Sequence, residues 1–121
     1  MKITLLGAGA WGTALAIAFA SKHQVTLWSR EADVAVDLLK TRENRRFFPG
    51  YTLPASVLVS IDFAAAVADA ELLVIATPIA GLRPTAELLK ALGCVVPVLW
   101  VCKGFEAGTG KLPHQVITEV L

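Results

Sequence analysis

The sequence has little charge and almost no charge imbalance. Only 17% of its residues are charged, and the formal net charge at pH 7 is +1. Without a basic excess, the chain has no bulk electrostatic attraction for nucleic acid or for an anionic membrane surface. Any anion must therefore be bound through local geometry. The 55% of hydrophobic residues in a chain of 121 instead predicts one domain with a large buried core.

Cysteines, targeting signals and membrane-spanning runs are equally scarce. The two cysteines, Cys94 and Cys102, are too few for a disulfide scaffold, and we interpret them as small buried residues of a cytoplasmic protein. The apolar run after Lys2 is soon broken by glycines, so it predicts no secretory signal. No apolar run reaches the ~18 residues that a membrane helix needs. No cluster of histidine, cysteine and acidic residues has metal-ligand spacing, so no metal is expected.

Strand and helix patterns alternate along the chain. Apolar and β-branched runs predict strands over Lys2–Leu6, Gln24–Trp28, Val57–Ile61, Leu72–Ala76 and Pro97–Val101. The segments between them predict helices over Ala10–Lys22, Glu31–Thr41, Asp62–Ala68 (with Asp62 as its cap), Gly81–Leu92 (with Pro84 in its first turn) and Leu112–Leu121, and a loop over Arg42–Ser56. The first, fourth and fifth strands are unbroken apolar runs, which is typical of strands buried on both faces of a parallel sheet.

This alternation predicts a doubly wound α/β fold with a parallel sheet, as a single domain over residues 1–121. The last predicted helix reaches the end of the chain without a stop signal. We therefore expect these residues to be part of a longer protein.

A glycine motif joins the first strand to the first helix. Gly7, Gly9 and Gly12 form the pattern G-x-G-x-x-G, and its position between a strand and a helix is typical of a Rossmann dinucleotide-binding domain. Gly7 is expected to permit the tight turn, Gly9 to let a pyrophosphate approach the backbone, and Gly12 to let the helix pack closely on the strand. Trp11, within the motif, either packs onto the nearby core or forms a lid beside the cofactor.

The end of the second strand bears on the choice of cofactor. NAD-specific domains usually place an acid there to hold the ribose hydroxyls, whereas this strand is followed by Ser29 and Arg30. A hydroxyl and a guanidinium suit the 2′-phosphate of NADP(H), so we expect NADP(H) to be preferred and NAD(H) tolerated. Glu31 and Asp33 are assigned to the next helix. Alternatively, Arg30 is a solvated loop arginine.

A basic residue follows the fifth strand. Lys103 lies where doubly wound sheets bind their ligands, and Gly104 beside it allows close backbone approach. An ammonium group at this point can hold a phosphate or polarise a carbonyl. Alternatively, Lys103 is an ordinary turn lysine.

Four segments, in this order, resemble the N-terminal part of bacterial NAD(P)-dependent glycerol-3-phosphate dehydrogenases. They are Gly7-Ala8-Gly9-Ala10-Trp11-Gly12-Thr13-Ala14-Leu15-Ala16, Asn44–Pro54, Ala76-Thr77-Pro78 and Cys102-Lys103-Gly104-Phe105-Glu106. The resemblance implies that Ala10, Trp11, Arg30 and Lys103 contact the cofactor. We also expect cofactor contacts from the glycine motif, from Ser29 and from Pro78. The resemblance also implies a contact from a basic residue of the loop after the second helix, either Arg45 or Arg46, of which we take Arg46. Lys103 would contact the substrate as well.

The resemblance further implies an oxidoreductase. Dihydroxyacetone phosphate would be reduced to sn-glycerol 3-phosphate with NADPH or NADH, for glycerophospholipid synthesis. The proton-transferring lysine of that family lies in a helical C-terminal domain that is outside these residues, so no catalytic residue is assigned here. Two other readings stay open: a non-catalytic NADPH-binding module, and another dehydrogenase of the 6-phosphogluconate-like superfamily. The expected partners are small molecules, and a homodimer stays open.

Overall fold

The computed structural model describes all residues from Met1 to Leu121. Seven strands are present: β1 (Lys2–Leu6), β2 (Gln24–Trp28), β3 (Glu43–Asn44), β4 (Phe48–Thr52), β5 (Leu58–Ser60), β6 (Leu72–Ile75) and β7 (Val98–Trp100). Five helices accompany them: α1 (Ala10–Phe19), α2 (Ala32–Thr41), α3 (Phe63–Ala68), α4 (Ile79–Ala91) and α5 (Pro113–Val120). None of the helices is long and apolar enough to cross a membrane.

The main sheet is parallel and has five strands in the order β5-β2-β1-β6-β7. β2 and β5 lie on one side of β1, and β6 and β7 lie on the other, so the direction in which strands are added reverses between β5 and β6. Leu6 is level with both Trp28 and Ile75, and Ile75 is level with Trp100. The carboxyl ends of four strands therefore meet along one edge, which confirms the predicted doubly wound sheet.

Two apolar cores cover the two faces of this sheet. Consecutive residues of β1 point to opposite faces of the sheet. Leu5 therefore packs in the core beneath α1 and α2, whereas Leu6 packs in the core beneath α4 and α5. Both leucines have no exposed surface. In β6, Val74 and Ile75 divide between the two cores in the same way. The unbroken apolar runs of β1 and β6 are thus explained by burial on both faces.

The fifth predicted strand does not share this burial. β7 pairs only with β6 and forms one edge of the sheet. Leu99 is 56% exposed there. The prediction that this strand is buried on both faces was therefore wrong, because an apolar run does not distinguish a central strand from an edge strand.

The segment predicted as a loop over Arg42–Ser56 contains an antiparallel ribbon. β3 and β4 pair with an irregular register, and the ribbon lies outside the main sheet. Pro49 and Gly50 are part of β4, which is mostly exposed, and prolines are tolerated in such edge positions. The turn residues that predicted a loop therefore lie in a two-stranded ribbon.

Helix α4 begins earlier than predicted, at Ile79. Pro84 consequently lies inside the helix and not in its first turn. Because proline has no N–H, one carbonyl of the preceding turn lacks its usual hydrogen-bond donor. Asp62 caps α3 as predicted, since its side chain accepts a hydrogen bond from the N–H of Ala65 at 3.2 Å.

Candidate functional site

A continuous cleft follows the carboxyl ends of β1, β2, β6 and β7. One half, of about 310 Å³, is lined on the β2 side by Gly7, Ala8, Gly9, Ala10, Ser29, Arg30, Glu31, Phe47, Ala76, Thr77, Pro78 and Gly81. The other half, of about 410 Å³, is lined on the β7 side by Gly9, Ala10, Trp11, Ala76, Thr77, Pro78, Ile79, Val101, Cys102 and Lys103. We call these the β2 half and the β7 half. They share the glycine loop and the turn after β6.

Two of the three glycines of the motif are required by neighbouring backbone atoms. Gly7 has a φ of +122°, and a Cβ there would lie 2.8 Å from the carbonyl oxygen of Ala76. Gly12 faces that same turn, and its Cβ would lie 1.9 Å from the carbonyl oxygen of Gly7. These values confirm the tight turn predicted at Gly7 and the close helix packing predicted at Gly12.

Gly9 is different, because nothing in the protein requires a glycine there. Its φ is −77°, which any residue adopts, and a Cβ would meet no atom within 4 Å. A side chain at Gly9 would instead enter the cleft that Gly9 lines in both halves. An open space beside the backbone is what the close approach of a ligand needs.

The N-terminus of α1 opens into this same space. Gly9 supplies no side-chain cap, and the first turn carries no acid. The first N–H groups of a helix have no acceptor within the helix, and the helix dipole is positive at this end. A pyrophosphate would supply both the acceptor oxygens and the negative charge, so the loop fits the dinucleotide that the sequence predicted.

Ser29 and Arg30 both line the β2 half, as predicted. The hydroxyl of Ser29 is already used locally, since it donates to the carbonyl oxygen of Glu31 at 3.0 Å and accepts from the N–H of Glu31 at 3.2 Å. Arg30 is exposed and forms no hydrogen bond or ion pair within the protein. Its guanidinium is therefore available for a ligand.

An acidic residue, Glu31, lines the β2 half beside Arg30. Glu31 precedes α2 as its N-cap residue, and it lines the β2 half. The assignment of Glu31 to the helix was wrong by one residue. The β2 half therefore does contain a carboxylate.

Arg46 binds this acid and lies outside the cleft. Its Nη1 is 2.7 Å from Oε2 of Glu31 and 3.2 Å from Oδ2 of Asp33. Its guanidinium also lies 4.8 Å from the centre of the Phe47 ring, within the range of a cation–π contact. The direct contact between Arg46 and a cofactor that the sequence predicted stays a prediction.

Two residues of the ribbon segment have roles that the sequence analysis missed. Phe47 lines the β2 half, and its position before Phe48 and Pro49 in a recognised motif was the only signal for it. Asn44 is 1% exposed. Its Nδ2 donates to the carbonyl oxygen of Ala8 at 2.7 Å and to Oγ1 of Thr13 at 2.8 Å.

Asn44 thereby joins the ribbon to the glycine loop. Its Oδ1 accepts a hydrogen bond from the N–H of Phe47 at 3.1 Å. One buried amide therefore positions the glycine loop through Ala8 and the cleft-lining ring through Phe47. Asn44 does not line the cleft itself, so its role is one of positioning.

The β7 half brings together Ala10, Trp11, Pro78 and Lys103, as predicted. The Trp11 side chain does not pack into the core, since the residue is 64% exposed; its role as a lid beside the cofactor stays a prediction. Lys103 is exposed and unpaired, and Gly104 next to it has a φ of +98°. The ammonium group of Lys103 is thus free for an anion or a carbonyl.

The turn that carries Lys103 is fixed by an ion pair. Arg83 of α4 donates from Nε to Oε2 of Glu106 at 2.8 Å and from Nη2 to Oε1 at 3.0 Å. The guanidinium of Arg83 and the hydroxyl of Thr109 lower the pKa of Glu106 from 4.5 to about 2. Arg83 also contacts Glu119, which ties α5 to the same turn. The sequence motif included Glu106 but did not indicate its partner.

No group of three or more histidine, cysteine, aspartate or glutamate side chains lies close enough together to hold a metal ion.

The strand order, the glycine loop at the start of α1 and the cleft at the carboxyl ends of the strands define the class of this protein. It is a Rossmann-type domain of the kind built to hold a dinucleotide. Residues 2–121 match the family described as NAD-dependent glycerol-3-phosphate dehydrogenase N-terminus, and the chain belongs to this family.

Relatives of known name agree with this assignment. The chain is 79% identical to a glycerol-3-phosphate dehydrogenase (NAD(P)+) of Dechloromonas aromatica and 52% identical to one of Thiobacillus denitrificans, in both cases over the whole chain. It also resembles the crystal structure of glycerol-3-phosphate dehydrogenase from Coxiella burnetii, with a TM-score of 0.91 at 31% identity, over 99% of this chain and 37% of that chain. The chain spans 37% of the length of the first two relatives.

Proposed function

We propose that this chain binds NADPH or NADH and forms the cofactor-binding part of an enzyme that reduces dihydroxyacetone phosphate to sn-glycerol 3-phosphate. The observation that carries the proposal is the open space at Gly9. There the backbone is free of steric constraint, α1 presents uncapped N–H groups, and the cleft continues to both sides. Membership of the family supplies the substrate class, and glycerophospholipid synthesis is the pathway that we propose for the product.

The two halves of the cleft suit the two ends of a dinucleotide. The adenosine end fits the β2 half, where Arg30 offers a free guanidinium to a ribose 2′-phosphate and Phe47 offers an aromatic ring. The other end fits the β7 half, between Trp11 and Lys103. When bound there, the reduced nicotinamide would supply the hydride for the reduction.

Lys103 is the residue of this chain that we assign to the substrate. Its ammonium group can hold the phosphate of dihydroxyacetone phosphate, which binds the substrate, or polarise the carbonyl, which stabilises the negative charge that develops on the carbonyl oxygen. The ion pair between Arg83 and Glu106 keeps the turn that carries Lys103 in place. The only other titratable side chain in the β7 half is that of Cys102.

A ketone reduction needs a proton donor and several substrate contacts as well as a cofactor. Lys103 and Cys102 alone do not provide them. We therefore expect the remaining groups to come from outside these residues, and we expect this chain by itself to bind the cofactor without turning over the substrate.

The proposal also includes the cellular setting. Both cysteines are free thiols, which agrees with a protein of the reducing cytoplasm. The partners are small molecules, namely the cofactor and the triose phosphate. The homodimer that the sequence left open is tested by light scattering on the purified protein.

A chimeric enzyme tests the catalytic part of the proposal. Residues 1–121 would replace the matching region of the Dechloromonas aromatica relative, to which they are 79% identical. The chimera should oxidise NADPH in the presence of dihydroxyacetone phosphate, whereas the chain alone should not. Replacing Lys103 by Met in the chimera should lower the rate by at least about a hundredfold, since an electrostatic contact to the reacting oxygen is lost. Full activity of the Lys103→Met chimera, or equal turnover by the chain alone, would contradict the assignment.

A further inference from the structure

Two carboxylates near the edge of the β2 half, those of Glu31 and Asp33, share a single side-chain partner, the guanidinium of Arg46. Glu31 lines the cleft next to Arg30, and its carboxylate has one side-chain partner in the protein, Nη1 of Arg46 at 2.7 Å. The same nitrogen donates to Asp33 at 3.2 Å. Almost half of the Glu31 side chain is exposed, so the carboxylate is free to turn if this partner is removed.

The place of Glu31 matters for the kind of ribose that fits. A carboxylate at this end of a Rossmann domain accepts hydrogen bonds from the ribose hydroxyls of NAD(H), and it repels a 2′-phosphate. Arg30 has the opposite preference. The β2 half therefore contains one group suited to each cofactor, side by side, and Arg46 holds the group that is suited to NAD(H).

We infer that Arg46 determines cofactor specificity indirectly, by holding the carboxylate of Glu31 away from the adenosine ribose so that Arg30 can accept the 2′-phosphate. This inference rests on the proposed binding of NADPH and NADH. It assigns to Arg46 an effect exerted through Glu31, and not a contact with the cofactor. The stacking of the Arg46 guanidinium on Phe47 restricts the position of the arginine and so strengthens the restraint.

The test is the replacement Arg46→Gln, with the affinities for NADPH and NADH both measured by calorimetry at low salt. The freed Glu31 should weaken NADPH binding and strengthen NADH binding. An exposed charge pair changes an affinity by about fivefold at most. Because the two affinities change in opposite directions, their ratio should shift by up to about twenty-five-fold. The shift should shrink at high salt, since exposed charges are screened.

The opposite changes expected in the NADPH and NADH affinities distinguish this inference from its alternatives. If Arg46 touched the 2′-phosphate, the variant would lose NADPH affinity while its NADH affinity stayed constant. If Arg46 only maintained the ribbon, both affinities would fall together. Either result would overturn the inference. Adding Glu31→Gln to the Arg46→Gln variant should remove the gain in NADH affinity, and a gain that persisted would also count against it.

The chain offers a matched control in the adjacent residue. Arg45 carries the same charge, is similarly exposed and pairs with Asp37 on α2, away from the β2 half. Arg45→Gln should leave the ratio of the two affinities unchanged, and an equal shift in this variant would show that net charge alone is responsible. If the unmutated chain bound neither cofactor, the proposed function itself would fail; binding of both with an unchanged ratio in Arg46→Gln would defeat only the present inference.

Discussion

Gly9→Ala should separate cofactor binding from folding. The backbone conformation of Gly9 is one that alanine also adopts. Because alanine lowers the conformational entropy of the unfolded chain, the substitution stabilises the folded state by about 0.4–1 kcal/mol. Alanine is a poorer N-cap residue than glycine, by about 0.5–1 kcal/mol. These effects nearly cancel. Because a domain of this size loses about 4 °C in Tm for each kcal/mol, the Tm of Gly9→Ala should stay within about 4 °C of the original.

Cofactor binding should respond very differently to this change. The added methyl group meets no protein atom within 4 Å. In the proposed complex it occupies space that the pyrophosphate needs, so the first N–H groups of α1 can no longer reach the ligand. Loss of two such charge-assisted hydrogen bonds weakens binding by about 3 kcal/mol or more, which is a factor of at least about one hundred. Calorimetry with NADPH measures this directly.

Gly12→Ala is the matched comparison within the same loop. Its Cβ starts 1.9 Å from the carbonyl oxygen of Gly7, and the distance has to exceed 3.0 Å before such a contact occurs in proteins. The helix must therefore move away from β1, at a cost of about 3 kcal/mol or more and a fall in Tm of about 12 °C. Normal NADPH affinity in Gly9→Ala, or an unchanged Tm in Gly12→Ala, would refute the separate roles given to these glycines.

Three further predictions concern the residues around the cleft. Asn44→Asp keeps the shape of the side chain but removes the donor to Ala8 and buries a carboxylate. The free energy of unfolding should therefore fall by about 3 kcal/mol in denaturant unfolding, and an unchanged midpoint would contradict the positioning role of Asn44. Glu106→Gln should reduce the loss of stability that the original protein shows as the pH falls from about 4.5 toward about 2. The ionised Glu106 carboxylate stabilises the fold through Arg83, as its lowered pKa indicates, and this contribution is lost on protonation; identical acid-denaturation curves would contradict this. Arg30→Asp should weaken NADPH binding about tenfold to a hundredfold, the value of one charge-assisted hydrogen bond, and equal NADPH and NADH affinities in the original protein would contradict the role of Arg30.

Patterns within short stretches of sequence were sufficient for the central fold. β1 and β2 occupy the predicted residues without a shift, because their apolar runs end at sharp boundaries. The glycine motif also predicted its own geometry, since the requirements at Gly7 and Gly12 come from backbone atoms that are close along the chain or in the neighbouring strand. The strand, the glycine loop and the helix that follows it were therefore predictable from short stretches of sequence.

The parts that were not predicted depend on contacts between distant segments. The roles of Asn44 and Arg46 exist only because the ribbon folds back over the glycine loop and the start of α2, and no local periodicity encodes that return. The exposure of β7 depends on its place in the sheet, which an apolar run does not reveal. The place of Glu31 in the cleft depended on a helix boundary that differed by one residue.

The most direct test of the account is to map the binding of NADPH onto this chain by NMR. Titration into isotopically labelled protein should shift the amide signals of the glycine loop and of both cleft halves, with the largest changes at Gly9, Ala10 and Trp11 and further changes at Arg30 and Phe47. The signals of Lys2, Gln24 and Asp69, which lie together at the opposite, amino-terminal edge of the sheet, should stay in place. Absence of binding, or shifts concentrated at that opposite edge with an unchanged glycine loop, would contradict the claim that this cleft holds the dinucleotide.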